Sequence, residues 1–202
     1  MLKARIAVFV SGGGTNLQAL IDAEKNGIIT DGEIVLVVAS KKDAYALTRA
    51  QQNGIASEVV LRKDFDSQDS YEDKLVDLLD ENKIDLIVLA GFMSILSGSF
   101  TGRYDGRIIN VHPSLIPSFC GKGFYGLRVH QAALEYGVKV TGATVHFVNE
   151  VTDGGQIILQ RAVYVQDGDT PETLQRRVME EAEWKILPEA TQQICKEIAG
   201  GR

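Results

Sequence analysis

The run RIAVFVSGGGTNLQ, residues 5–18, decides how this chain folds. Arg5–Val10 is almost continuously apolar, as a parallel strand covered on both faces must be. Three glycines follow, and Asn16–Glu24 then places its apolar residues at helical spacing. Strand, glycine turn and helix make the opening unit of a doubly wound sheet. The unit recurs. Glu33–Ala39, Ser57–Leu61 and Asp85–Leu89 read as further strands, and Ala44–Gln52 and Ser70–Glu81 as the helices between them. A fifth strand, Arg107–Val111, is stopped by His112-Pro113.

Beyond it the pattern changes. Leu127–Tyr136 reads as a helix, and Val140–Val148 and Gln156–Val165 as two strands flanking a turn that holds Asp153-Gly154-Gly155. This predicts an antiparallel pair. Asp169-Thr170-Pro171-Glu172 opens a last helix, with Thr170 as N-cap and Pro171 as its first residue. With no linker or repeat, the expected fold is a single α/β domain over residues 1–202. Its sheet is doubly wound, Rossmann-type and mostly parallel, with an antiparallel C-terminal strand pair.

Composition narrows the function. At 202 residues, 45% hydrophobic and 24% charged, the chain is globular rather than disordered. Its net charge of −6 disfavours nucleic acid, and the short basic runs at 61–63 and 176–177 read as solvated faces. The basic start and short apolar run of residues 1–10 do not make a signal peptide, and no stretch reaches the ~20 apolar residues that span a bilayer. Cys120 and Cys195 form no redox or metal spacing, so a cytoplasmic protein without metal is expected.

Ligands of such sheets sit beyond the carboxyl ends of the strands, which singles out three turns. In Ser11–Gln18 the glycines and the first helical turn offer N–H groups to an anion; a purely structural turn is the alternative. The pattern is neither a Walker loop nor G-x-G-x-x-G. In Ala90–Ser97, Phe92, Met93, Ile95 and Leu96 form either an apolar pocket wall or plain core. In Ile109–Phe119, Asn110 and His112 stand two apart on a strand end and so face one side. An amide donor beside an imidazole can stabilise an oxyanion and move a proton. Of the other two histidines, His130 reads as structural, while His146 faces either crevice or core. Asp153 is either an ordinary turn residue or a carboxylate that approaches His112 and favours its charged form.

SGGGTNLQALIDA, VLAGFMSILS, INVHPSLIPSF and GATVHFVNEVTDGGQIILQ occur in that order, and together they resemble the folate-dependent formyltransferases from residue 5 to about 190. The N-x-H-P-S-L-x-P loop with a later D-G-G is specific to that family and its hydrolases. The S-G-x-G-[ST]-N loop points to the branch that formylates glycinamide ribonucleotide in purine biosynthesis. The resemblance implies a transferase that uses 10-formyltetrahydrofolate as co-substrate, with Asn110, His112 and Asp153 catalytic. It assigns Gly14, Thr15, Asn16 and Glu183 to the ribotide. It assigns Met93, Ser94, Ile95, Leu96, Asn110, Asn149, Glu150, Val151, Thr152 and Asp153 to the folate. Small-molecule substrates, no membrane or nucleic-acid partner, and a monomer or weak homodimer are the expected context.

The chain departs from the family pattern in three places. Residues 120–126, CGKGFYG, lengthen the loop after the histidine; Glu183-Trp184 replaces the usual Glu-His, with an extra residue in 179–182; and Gln68 replaces an arginine found in some relatives. Competing expectations are a formyltetrahydrofolate hydrolase, which usually has an added N-terminal domain; a methionyl-tRNA formyltransferase-like protein, which adds a C-terminal one; an amino-sugar formyltransferase; and a non-catalytic folate or nucleotide sensor. The chain begins directly at its first strand and keeps the whole polar trio, which favours direct formyl transfer to glycinamide ribonucleotide.

Overall fold

The computed structural model describes residues 3–201; residues 1, 2 and 202, which belong to the basic start and the single-domain span read above, lie outside it. The strands are β1 (Ala4–Val10), β2 (Gly32–Ala39), β3 (Ala56–Val59), β4 (Leu86–Leu89), β5 (Ile108–His112), β6 (Val140–Phe147) and β7 (Ile157–Tyr164). The helices are α1 (Thr15–Lys25), α2 (Tyr45–Gln52), α3 (Gln68–Glu81), α4 (Gly98–Arg103), α5 (Leu127–Tyr136), α6 (Pro171–Val178) and α7 (Trp184–Gly200). One sheet runs β3-β2-β1-β4-β5-β6-β7, parallel from β3 to β5 and antiparallel across β5-β6 and β6-β7. The doubly wound expectation is met, and the antiparallel part begins one strand earlier than the sequence suggested. Helix α4 escaped the reading because GSFTGR is short and carries two glycines.

Period-two alternation builds two apolar layers. Ile6, Val8 and Val10 of β1 pack with Leu17 and Leu20 of α1 and Leu187 of α7, while Ala7 and Phe9 pack with Tyr71 and Leu75 of α3. A register shift pairs Ile6 with Ile34 but Ala7 with Leu36, which makes Val35 the extra residue of a bulge. Ile34 and Val37 therefore share one layer although they differ in parity. Each fully buried Leu or Ile contributes about 1.5–3 kcal/mol, so the two layers fix the sheet between them.

Local signals fix the C-terminal elements. Thr170 accepts from the Thr173 backbone N–H as N-cap of α6, and Pro171 is the first helical residue, as expected. Arg177 grips Asp169 through both terminal guanidinium nitrogens, at 2.5 and 2.6 Å, which ties the helix to the residue before its cap. Met179–Glu183, where the sequence reading expected an extra residue, forms a π-helical turn between α6 and α7. Such a turn takes in one residue without breaking the helix, and Ala182 and Glu183 stay buried.

Gly142 lies where β6 meets both β7 and the loop after β5. A Cβ there would overlap the Arg161 carbonyl and approach Leu115 Cδ2 to 2.9 Å. Gly142→Ala is therefore expected to destabilise the protein by about 1–3 kcal/mol, read as a lower urea midpoint. Gly102→Ala, at a position with nothing within 4 Å, is the control and should not be destabilising. Equal midpoints for the two variants would contradict the close approach.

Candidate active site

Cross-strand register assembles the polar centre. Asn110 pairs directly with His146, and His112 with Thr144, so these side chains share one face at the carboxyl end of β5. It is the face of Ile108, which belongs to the layer that packs on α3 and α4. Thr144 donates to the Ser114 carbonyl (2.7 Å) and accepts from Ile116 N–H (3.1 Å), pinning the proline-containing loop to β6.

Asp153 completes the group from the loop between β6 and β7. Its Oδ2 stands 3.5 Å from His112 Nδ1 and its Oδ1 3.7 Å from His146 Nε2, with little of any of these side chains exposed. Gly121 N–H donates to Oδ2 at 2.8 Å. The turn that carries Asp153 holds it at φ 55, and Gly155 must be glycine because a Cβ there would overlap the Phe147 carbonyl. The sequence left Asp153 between a turn residue and a partner of His112, and the structure makes it both. It also brings His146 into the crevice, a position that one strand's pattern left open.

Hydrogen-bond polarity assigns the tautomers. His112 Nε2 faces the Phe119 carbonyl at 2.9 Å, and a carbonyl only accepts, so Nε2 carries hydrogen. His146 Nδ1 likewise donates to the Phe147 carbonyl at 2.7 Å, which lets its Nε2 accept from Asn110 Nδ2 at 3.2 Å. One of the two amide hydrogens of Asn110 is then left over for a ligand.

Burial pushes the His112 pKa down, against the Asp153 carboxylate and the Phe119 carbonyl, and burial prevails. Asp153 favours the charged form of His112, as the sequence reading expected, but burial outweighs it. Burial also opposes ionisation of Asp153, but His146, His112 and the Gly121 N–H outweigh it and hold the carboxyl below its usual range. His130 is fully buried on α5, and burial, with His112 nearby, lowers it to about 4. Cys120, raised by burial and by Asp153, is a poor nucleophile.

The path of the loop at residues 119–126 is what the sequence reading did not foresee. Phe119 (φ 50), Gly121 (φ 86), Gly123 (φ 95) and Gly126 (φ 54) all take left-handed backbone, and the loop folds back over His112 and Asp153. The Phe119 ring packs edge-on against Phe124 and Tyr136. The glycine spacing in CGKGFYG was the available signal; the contacts are backbone groups, which residue type does not reveal.

The residues assigned to the ribotide lie where α1 begins. Gly14 (φ 69) is its N-cap, and a Cβ there would stand 2.7 Å from Ala46 Cβ. Gly12 and Gly13 are exposed, and the first turn of a helix leaves N–H groups without intrahelical partners. Thr15 lies 3.9 Å from Met179 Sδ. The Asn16 side chain turns inward, donating to Glu183 Oε2 at 2.7 Å. Burial raises the Glu183 pKa to about 7, against the Asn16 bond, which lowers it.

The two segments assigned to the folate face each other. Met93 N–H donates to Ser11 Oγ (2.8 Å), while buried Glu72 accepts from Ser97 N–H (2.6 Å) and Gln68 (2.6 Å). Gln68 also donates to the Ile95 carbonyl (3.0 Å), so it anchors this wall from behind. Opposite, Glu150 Cβ lies 3.3 Å from where a Cβ of Gly98 would be. Met93, Ile95 and Val151 are exposed apolar side chains on these two segments. Asn149 accepts from Val151 N–H at 2.9 Å, and Ser94 and Thr152 lie on the same two segments. Among the described residues no group of three or more His, Cys, Asp and Glu side chains could hold a metal ion.

The formyl transferase family model matches residues 4–191. The chain is 45% identical to phosphoribosylglycinamide formyltransferase of Haemophilus influenzae, over 91% of this chain and 84% of that protein. It is 46% identical to the chicken (Gallus gallus) trifunctional purine biosynthetic protein adenosine-3, over 96% of this chain but only 18% of that far longer protein. Among solved structures, phosphoribosylglycinamide formyltransferase from Brucella melitensis superposes with a TM-score of 0.87 at 46% identity, covering 96% of each chain. Glycinamide ribonucleotide transformylase 1 from Symbiobacterium toebii gives 0.90 at 40% identity, covering 96% of this chain and 89% of that one. With the family model matching residues 4–191 and relatives similar over nearly its whole length, this chain belongs to the formyl transferase family.

Proposed function

We propose that the protein transfers the formyl group of 10-formyltetrahydrofolate to the amine of glycinamide ribonucleotide, a step of purine biosynthesis. The observation that carries this is the convergence of Asn110, His112 and Asp153 at the carboxyl end of β5. The donor lies between Met93–Leu96 and Asn149–Asp153, and the ribotide phosphate lies over Gly14, Thr15 and Asn16. Residues 1–202 form one catalytic domain in this reading, supported by the single sheet. No described helix is long and apolar enough to cross a membrane. A cytoplasmic enzyme of small molecules, monomeric or weakly dimeric and needing no metal, accords with the reading.

The chemistry follows from the proton positions. The amine attacks the formyl carbon, and the carbonyl oxygen becomes an oxyanion. The free N–H of Asn110 and the Nε2–H of His112 donate to it, the latter once substrate displaces the Phe119 carbonyl. Asp153, held ionised, takes the proton released by the amine and passes it to the empty Nδ1 of His112. The imidazolium then protonates the folate nitrogen as the carbon–nitrogen bond breaks, its electron pair going to that nitrogen. The proton lost by the amine is the proton gained by the leaving group, and no covalent enzyme intermediate is needed. Glu183, neutral or charged near pH 7, faces the acceptor amine.

Formyl transfer should depend on glycinamide ribonucleotide; formate release without it would indicate a hydrolase, and no turnover with any acceptor a sensor. Asp153→Asn should lower kcat by about 10²- to 10⁴-fold while leaving the KM for the ribotide within about twofold of its original value. Near-normal turnover would rule out the relay. Thr15→Val with Asn16→Ala should raise that KM about tenfold; an unchanged KM would move the phosphate elsewhere.

Glu183 also sets a pH dependence of stability. Its folded pKa of about 7 lies above the ordinary carboxyl value of 4.5, so folding favours the protonated form. Its penalty is absent below pH 4.5, grows as pH rises, and saturates above pH 7 at about 3 kcal/mol. Glu183→Gln should abolish that segment of the stability–pH curve. Parallel curves for the two proteins would show that Glu183 is not buried as described.

A further inference from the structure

Arg49, on α2, contributes nothing to the chemistry above, yet it makes three directed contacts around the glycine loop. Its Nε–H donates to the Gly13 carbonyl at 2.8 Å, and its Nη1 donates to Gln18 Oε1 on α1 at 3.0 Å. Its guanidinium also lies over the Tyr45 ring, 5.1 Å from the centroid. One turn earlier on α2, Ala46 N–H donates to the Gly12 carbonyl at 3.1 Å. Two successive glycine carbonyls are thus drawn towards α2.

The peptide unit is planar and trans, so the C=O of one residue and the N–H of the next point in opposite directions. Turning the Gly12 carbonyl towards Ala46 aims the Gly13 N–H away from α2. Turning the Gly13 carbonyl towards Arg49 does the same for the Gly14 N–H. Both N–H groups then face the open side, beside the first turn of α1. A run of three glycines has no side chains to hold this shape, and its backbone freedom opposes it. The Gly14–Ala46 contact fixes the far end of the loop, leaving Gly13 to be held by Arg49.

We infer that Arg49 is a positioning residue for anion binding: its fork, spanning Gly13 and Gln18, presets the glycine loop as a phosphate cradle and places a fixed positive charge behind it. This rests on reading residues 12–16 as the site of the ribotide phosphate. Lysine cannot replace it in full, because a single ammonium lacks the planar fork that reaches two acceptors on different elements.

The test is calorimetric titration with ribose 5-phosphate, alongside steady-state kinetics and melting curves, for the wild type, Arg49→Met and Arg49→Lys. Arg49→Met keeps the aliphatic stem and should raise both the Kd for ribose 5-phosphate and the KM for glycinamide ribonucleotide about tenfold. Its kcat and its KM for the formyl donor should stay within about twofold of the wild type. Arg49→Lys should recover only part of the loss. A folded Arg49→Met that binds ribose 5-phosphate as tightly as the wild type overturns the inference, as does an equal rise in both KM values. If Arg49→Met does not fold, unchanged binding by Arg49→Lys overturns it equally. A wild-type protein that binds no ribose 5-phosphate would instead remove the cradle reading itself.

Discussion

The site depends on one buried carboxylate. Asp153 lies between two imidazoles and accepts the Gly121 N–H, so a single carboxylate joins the β6–β7 loop, β5, β6 and the loop after His112. A buried carboxylate is costly unless hydrogen bonds and opposite charge compensate it. Here the Gly121 N–H donates to it, and the two imidazoles that flank it come from neighbouring strands. Disturbing any of them also disturbs where the catalytic proton sits, which couples the fold of the loop to the proposed chemistry.

His112 sits at the opposite balance point. Burial disfavours its proton while Asp153 and the Phe119 carbonyl favour it, and burial is the larger effect, so Nδ1 is open to a proton handed on by Asp153. A relay needs this arrangement more than it needs a permanently charged imidazole, because an empty Nδ1 can receive what the amine gives up. The Phe119 carbonyl occupies the hydrogen-bond position of an oxyanion at Nε2. Substrate entry and loop displacement are then one event in this reading, and the glycines at 121, 123 and 126 supply the backbone freedom for it.

The parallel half of the sheet was legible in the sequence because strands buried on both faces read as apolar runs, as β1 and β2 do. Asn110 and His112 were legible as a pair because they stand two apart on one strand. His146 was not, since its place opposite Asn110 depends on the β5–β6 register, which neither strand records alone. Phe119 and Gly121 act through backbone groups and carry no residue-type signature. The sequence reading expected an extra residue at 179–182, but the π-turn that keeps Glu183 buried required coordinates.

Nitrogen-15 NMR of His112, titrated with pH in the unliganded protein, tests the central claim most directly. The account predicts a proton on Nε2 and none on Nδ1 at neutral pH, with the ring titrating below the ordinary histidine value of 6.5. A ring protonated on both nitrogens through pH 7 would contradict it, because Nδ1 could not then accept the proton that Asp153 passes on.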